Sequence, residues 1–160
     1  MRKGTDSIRS PAYYSVSLLE ANEHFRDELS MTLKRVLVAD DLASVLRAIA
    51  ALLQGSFDVV GTVSDGNAAL DGILELEPDL VVLDISMPGM SGLEVATELK
   101  NRSSSTKIVF LTVHEDSGII AACLTAGALG YVVKELMNSD LIPAMNEALA
   151  GRVFVSRLIP

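Results

Sequence analysis

Three aspartates, a threonine and a lysine stand where short apolar runs stop. Val36-Leu37-Val38-Ala39 runs into Asp40 and Asp41, and Leu80-Val81-Val82-Leu83 into Asp84. Lys107-Ile108-Val109-Phe110-Leu111 reaches Thr112, and Gly130-Tyr131-Val132-Val133 reaches Lys134. Uninterrupted apolar runs of this length read as strands buried on both faces. A carboxylate at the end of such a strand is costly unless it is paired or binds a metal. Asp is also a common turn former, so each residue taken alone has a bland explanation. Five of them at the ends of core strands ask for another.

In an open parallel sheet, ligands bind outside the carboxyl ends of the strands. If the first and third strands are neighbours, three carboxylates, one hydroxyl and one ammonium meet there. The ammonium offsets only one of the three negative charges, so a divalent cation is implied. Carboxylates, a carbonyl and waters suit Mg²⁺ or Mn²⁺. The sequence has no His/Cys set with zinc-ligand spacing. With the ion in place the site is near neutral and can receive an anionic phosphoryl group. A carboxylate can attack phosphorus to form an acyl phosphate, provided cations offset the repulsion. Asp84, in the middle of the constellation, is the best candidate nucleophile. Thr112 can donate a hydrogen bond to a phosphoryl oxygen, and Lys134 can pair with another.

The elements that must position these residues follow from periodicity. Leu42, Val45, Leu46, Ile49, Leu52 and Leu53 fall on one helical face, closed by Gly55. Residues 58–63 read as an edge strand, and Ser64-Asp65-Gly66 as a turn before a helix that stops near Pro78. Ser91 is placed to cap a third helix. A fourth runs from Ile119 to Ala126, ended by Gly127. Ser139 and Asp140 are expected to cap a fifth helix through Ala150, with Pro143 tolerated in its first turn. Five strands alternating with five helices predict a doubly wound parallel sheet covered on both faces.

The length suits one domain with a real core, and 49% hydrophobic residues argue against wholesale disorder. The net charge of −8, without a basic stripe, argues against direct nucleic-acid binding and favours protein partners. No run spans a bilayer and no signal peptide is apparent, so no membrane role is expected. Cys123 cannot form an internal disulfide, which fits a reducing cytoplasm, and it reads as a small buried hydrophobe. The chain is divided into an N-terminal extension over 1–33, the α/β domain over 34–151, and a tail over 152–160. Residues 15–33 could form one amphipathic helix, although a disordered tail is the simpler expectation.

The motifs VADD (38–41), LDISMPGMSGLE (83–94), FLTVHED (110–116) and GYVVKE (130–135) together resemble the receiver domain of two-component response regulators. The resemblance runs from about Arg35 to Gly151. It implies a flavodoxin-like fold with strand order 2-1-3-4-5, and transfer of a phosphoryl group to Asp84 from a histidine kinase or phosphotransfer protein. It further implies Mg²⁺ bound by Asp41, Asp84 and the backbone carbonyl of Ser86, with Asp40 assisting through water. Thr112 and Tyr131 match the family's switch pair, whose movement alters the face made by the fourth and fifth helices. The wording is most similar to the branch usually fused to a LuxR-type helix-turn-helix. No recognition helix fits in GRVFVSRLIP (151–160), so a stand-alone receiver or a fragment of a longer regulator is expected.

Three positions bear on the lifetime of the phosphoryl group. Val113 stands where many such domains have Ala or Gly, which predicts slower exchange with small donors and water. Ser86 and His114 occupy positions that tune the lifetime in the family, although His114 also reads as an ordinary loop residue. A Mg²⁺-dependent, haloacid-dehalogenase-like phosphatase is the enzyme alternative. It needs a second Asp two positions after the nucleophile, where this sequence has Ser86. A nucleotide-binding module is disfavoured, since neither a P-loop nor a Gly-rich dinucleotide fingerprint is present. A phosphorylation-independent interaction module would not need the acids and Lys134. Two outputs remain open: relay to another histidine, or binding or dimerisation through the switched face.

Overall fold

The computed structural model describes residue 23 and residues 32–157. The chain divides into two units between Leu33 and Lys34. The extension expected over 1–33 lies outside the described residues, apart from residues 23, 32 and 33.

In the second unit, strands β1 (Arg35–Ala39), β2 (Asp58–Val63), β3 (Leu80–Leu83), β4 (Lys107–Thr112) and β5 (Gly130–Val133) alternate with five helices. These are α1 (Ala43–Leu53), α2 (Gly66–Leu76), α3 (Gly92–Asn101), α4 (Ser117–Thr125) and α5 (Met137–Leu149). All strand pairs are parallel. The order is β2-β1-β3-β4-β5, extended by a sixth strand, β6 (Phe154–Val155), beside β5. The fold is thus the flavodoxin-like arrangement expected, with one strand more than the sequence reading contained.

Alternation along each strand splits the core in two. Leu37, Val81, Leu83, Phe110 and Tyr131 face Ala69, Ile73, Val95, Leu99 and Cys123 of α2, α3 and α4. Val36, Val38, Val82, Val109 and Val132 face Ile49, Leu53, Leu141 and Met145 of α1 and α5. Cys123 is buried there as the small hydrophobe expected.

Local chemistry sets most helix starts. Asp65 accepts a hydrogen bond from Ala68 N at 2.8 Å, and Ser91 and Glu94 form a reciprocal capping box at the start of α3. Asp116 caps α4 by accepting from Gly118 N at 2.8 Å.

The start of α5 departs from expectation. A 3-10 turn over Lys134–Leu136 leads directly into a helix that begins at Met137, so Ser139 and Asp140 lie inside its first turn and do not cap it. Pro143 is consequently the seventh helical residue, not a first-turn one. It cannot donate to the carbonyl four residues back, and its exposed position leaves that carbonyl to solvent.

Candidate functional site

β1 and β3 are neighbours, with Ala39 in register with Leu83. The next residues, Asp40 and Asp84, therefore stand side by side where the sheet ends. Asp84 N donates to Ala39 O at 2.9 Å, which fixes the two backbones together. Carboxylate oxygens of Asp40, Asp41 and Asp84 all lie within 4.8 Å of one another. Asp40 and Asp84 are buried, at 1% and 5% exposure, while Asp41 faces solvent.

Lys134 reaches this group from the end of β5. Its Nζ lies 2.7 Å from Asp40 Oδ2 and 3.3 Å from Asp84 Oδ2. The remaining oxygens are held by the backbone: Leu42 N donates to Asp40 Oδ1 at 2.9 Å, and Ile85 N to Asp84 Oδ1 at 2.8 Å. Burial raises the Asp84 carboxyl above its ordinary pKa; the Lys134 charge opposes this and the Asp40 charge adds to it. Burial works against the Lys134 ammonium, but the combined pull of Asp40 and Asp84 outweighs it and leaves that pKa raised. The cation is thus firmly held, and the group stays short of positive charge.

One atom tests whether a metal fits. Asp40 Oδ2 is buried and accepts no hydrogen bond of good geometry. Its 2.7 Å contact with Lys134 is an ion pair that lacks the direction to satisfy a lone pair. A buried, under-satisfied carboxylate oxygen among three acids fits a hard, oxygen-seeking cation. The acidic cluster can hold a metal.

The loop after β3 is brought close by two glycines. A Cβ on Gly92 would lie 2.0 Å from Asp84 O, and one on Gly66 would lie 1.9 Å from Met90 O. Neither approach is open to any other residue, and Gly92 N donates to Ile85 O at 2.8 Å. Ser86, in this loop, has its hydroxyl 3.0 Å from His114 Nε2.

Thr112 ends β4 and is fully buried. Tyr131 lies on β5 in register with Phe110, its ring packed inward. Its hydroxyl donates to the His114 carbonyl at 2.7 Å, and His114 N approaches Thr112 Oγ1 at 3.3 Å. His114 therefore joins Thr112, Tyr131 and Ser86. The sequence reading set His114 beside Ser86 as a lifetime-tuning position but also allowed an ordinary loop residue; its contacts lie 2, 17 and 28 residues away. Val113, between Thr112 and His114, is 67% exposed. A concavity of about 410 Å³ near Ile73, Glu77 and Ser103 lies at the opposite end of the sheet and has no such acidic group.

Residues 36–146 match the family model described as the response regulator receiver domain. The chain is 38% identical over 127 residues to a transcriptional regulatory protein, YvfU, of Bacillus subtilis, covering 78% of this chain and 64% of that one. It is 33% identical over 126 residues to the nitrate/nitrite response regulator NarL of Escherichia coli, covering 78% and 58% respectively. The chain thus spans about three fifths of the length of these relatives. Among solved structures it is similar to the signal receiver domain of the response regulator NarL from Mycobacterium tuberculosis. That match has a TM-score of 0.71 and 32% identity, and covers 75% of this chain and 98% of the other. The isolated receiver domain of RcsB from Salmonella enterica matches with a TM-score of 0.72 and 27% identity, covering 79% and 95%. Fold, strand order and family match agree, and the chain belongs to the receiver domains of two-component response regulators.

Proposed function

We propose that Asp84 is the phosphoacceptor of this receiver, taking a phosphoryl group from a histidine kinase or phosphotransfer protein. The observation that carries the reading is the shared ion pair: Lys134 lies between two buried carboxylates whose third neighbour is Asp41. An Asp84 oxygen attacks phosphorus of the phosphohistidine; the P–O bond forms as the P–N bond breaks, and the electron pair returns to the donor imidazole, which takes up a proton. Lys134 offsets the charge on one phosphoryl oxygen, and Thr112 donates a hydrogen bond to another. Asp40, Asp41, Asp84 and the Ser86 carbonyl are the residues that would hold Mg²⁺ (or Mn²⁺). When bound, such an ion neutralises carboxylate charge and draws electron density from the phosphoryl oxygens. Water later cleaves the acyl phosphate, so the chain assists only its own phosphorylation and dephosphorylation.

Thr112 and Tyr131 form the switch, joined through His114, and the changed face serves a downstream protein partner or a second copy of the chain. No described helix is long and apolar enough to cross a membrane, and the reading places the chain in the cytoplasm with its kinase. The test is intact mass after incubation with Mg²⁺ and a small phosphodonor or kinase. One added phosphoryl group, lost in Asp84→Asn and with chelator, is expected. Addition that persists in Asp84→Asn would remove Asp84 from the role.

A further inference from the structure

Strand β6 is fastened to the same stretch of chain that carries the site lysine. Ser156 N donates to Tyr131 O at 2.8 Å, and Phe154 N to Leu129 O at 2.8 Å. The Ser156 hydroxyl accepts from Val133 N at 3.3 Å and donates to Asp140 Oδ2 at 2.7 Å. Ser156 is 2% exposed, although Val155 and Arg157 on either side are exposed. Such burial with both hydroxyl roles used marks a specific fastening rather than a strand lying loosely against an edge.

The contacts close a ring. From Val133 the path crosses to Ser156, then to Asp140 in the first turn of α5, and returns along the chain through the 3-10 turn Lys134–Leu136. Lys134 lies within that ring. Its ammonium is held by Asp40 and Asp84, while its backbone is held by the fastening of its neighbour Val133 to β6. Tyr131 is tied at both ends too, its carbonyl to Ser156 and its hydroxyl to His114.

We propose that Ser156 and Asp140 are positioning residues for the Asp84 site: they fix the backbone from which Lys134 reaches, so that docking of β6 and occupation of the site are energetically coupled. This rests on the reading of Asp84 as phosphoacceptor. A phosphoryl group at Asp84 gives Lys134 a fixed anionic partner in place of two competing carboxylates, and stiffens Val133–Lys134. A stiffer Val133 holds Ser156 more tightly. By linkage, the factor by which the phosphoryl group tightens β6 docking is the factor by which docking tightens phosphoryl binding, so loosening Ser156 weakens that binding by up to this factor.

The test uses beryllofluoride, an inert mimic of the phosphoryl group, at saturating Mg²⁺ on the full chain. Calorimetry gives its affinity, and amide hydrogen exchange gives the protection of residues 154–156. Beryllofluoride is expected to slow exchange of the Ser156 amide at least about fivefold, the low end of ordinary site-to-site couplings. Ser156→Ala and Asp140→Ala, which remove the hydroxyl and its acceptor, should weaken beryllofluoride binding by up to that factor, and Ser156→Thr, which keeps a hydroxyl, should bind as wild type does. If the folded wild type binds beryllofluoride with no change in β6 exchange, or both Ala variants bind as tightly as wild type, the coupling is refuted and the phosphoacceptor reading stands. If the folded wild type does not bind at all, both fall. Should a variant fail to fold, the wild-type exchange result decides alone.

Discussion

The Lys134 ammonium lies 0.6 Å closer to Asp40 than to Asp84, at 2.7 against 3.3 Å. The lysine's tighter partner is therefore Asp40 and not the proposed acceptor, and Asp84 retains a carboxylate that is only partly neutralised. Replacing Lys134 with Met should leave both buried carboxylates unpaired. A loss on the order of 3 kcal/mol is expected in metal-free protein, as for breaking other buried ion pairs. Urea unfolding with and without Mg²⁺ checks this, with the deficit shrinking when the ion is present.

Asp84 itself should behave in the opposite way. Its folded-state pKa is raised, chiefly by burial, so the proton binds the folded state more strongly than the unfolded one. Its contribution is fully present below the ordinary carboxyl pKa and is lost as pH rises through the raised folded value. At neutral pH without divalent ions, Asp84→Asn should therefore raise Tm by a few degrees, and the variant should lack this part of the acid-side pH dependence. Calorimetry from pH 4 to 7 decides it; a lower Tm for Asp84→Asn would contradict the assigned direction.

Two buried groups control the alkaline side. Burial pushes Cys123 up to about 11 and Tyr131 up to about 12. Both are held neutral in the fold, so stability is intact below pH 9, where the unfolded thiol begins to ionise, and falls as pH rises towards the folded values. Cys123→Ala should flatten the first part of that decline. In the native state at pH 8 the thiol should resist alkylation and react fully once the chain is unfolded, as read by mass.

Gly92→Ala tests the packing of the loop after β3. Its Cβ would fall 2.0 Å from Asp84 O, so the start of α3 or the backbone of Asp84 must move. A cost of about 1–3 kcal/mol is expected, as for other overpacked sites. Phosphorylation should slow at least about tenfold, because a displacement near 1 Å is enough to spoil a reacting geometry. Normal phosphorylation kinetics in a destabilised Gly92→Ala would show that the site absorbs the shift.

Val113→Ala separates access from stability. The side chain is 67% exposed and packs little, so unfolding should change by less than about 0.5 kcal/mol. Phosphorylation by small donors and spontaneous dephosphorylation should both accelerate if Val113 screens Asp84. Unchanged rates would exclude it as a screen.

The sheet and the residues at its strand ends were legible because buried parallel strands announce themselves as apolar runs, and the acids and Lys134 interrupt those runs where they end. Ser91 was legible as a cap because its bond spans three residues; Asp65, read only as part of a turn, caps α2 in the same way. What escaped depends on distant partners. Phe154–Val155 is too short to be read as a strand and exists because β5 offers an edge to pair with. Ser139 and Asp140 look like a helix cap, but the helix has already begun at Met137, and Asp140 serves Ser156 instead. His114 was named only through the family resemblance, and its links to Thr112, Tyr131 and Ser86 come from which residues meet around it.

Strand β6 also bears on the chain's behaviour towards its own copies. All four residues of β5 are buried, and without a neighbour its open side would offer unpaired backbone groups on a short, flat, apolar run. Such an edge invites another chain to add a strand. β6 fills it with two residues, the Ser156 hydroxyl takes the Val133 amide, and the exposed, charged Arg157 follows at once. At the other border, β2 meets β1 with a register shift between Val36 and Leu37, an irregularity of the kind that disturbs a flat template. The β5 margin of the sheet is thus covered by a strand of only two residues, and the β2 margin carries an irregularity; neither offers a long, regular edge to another chain.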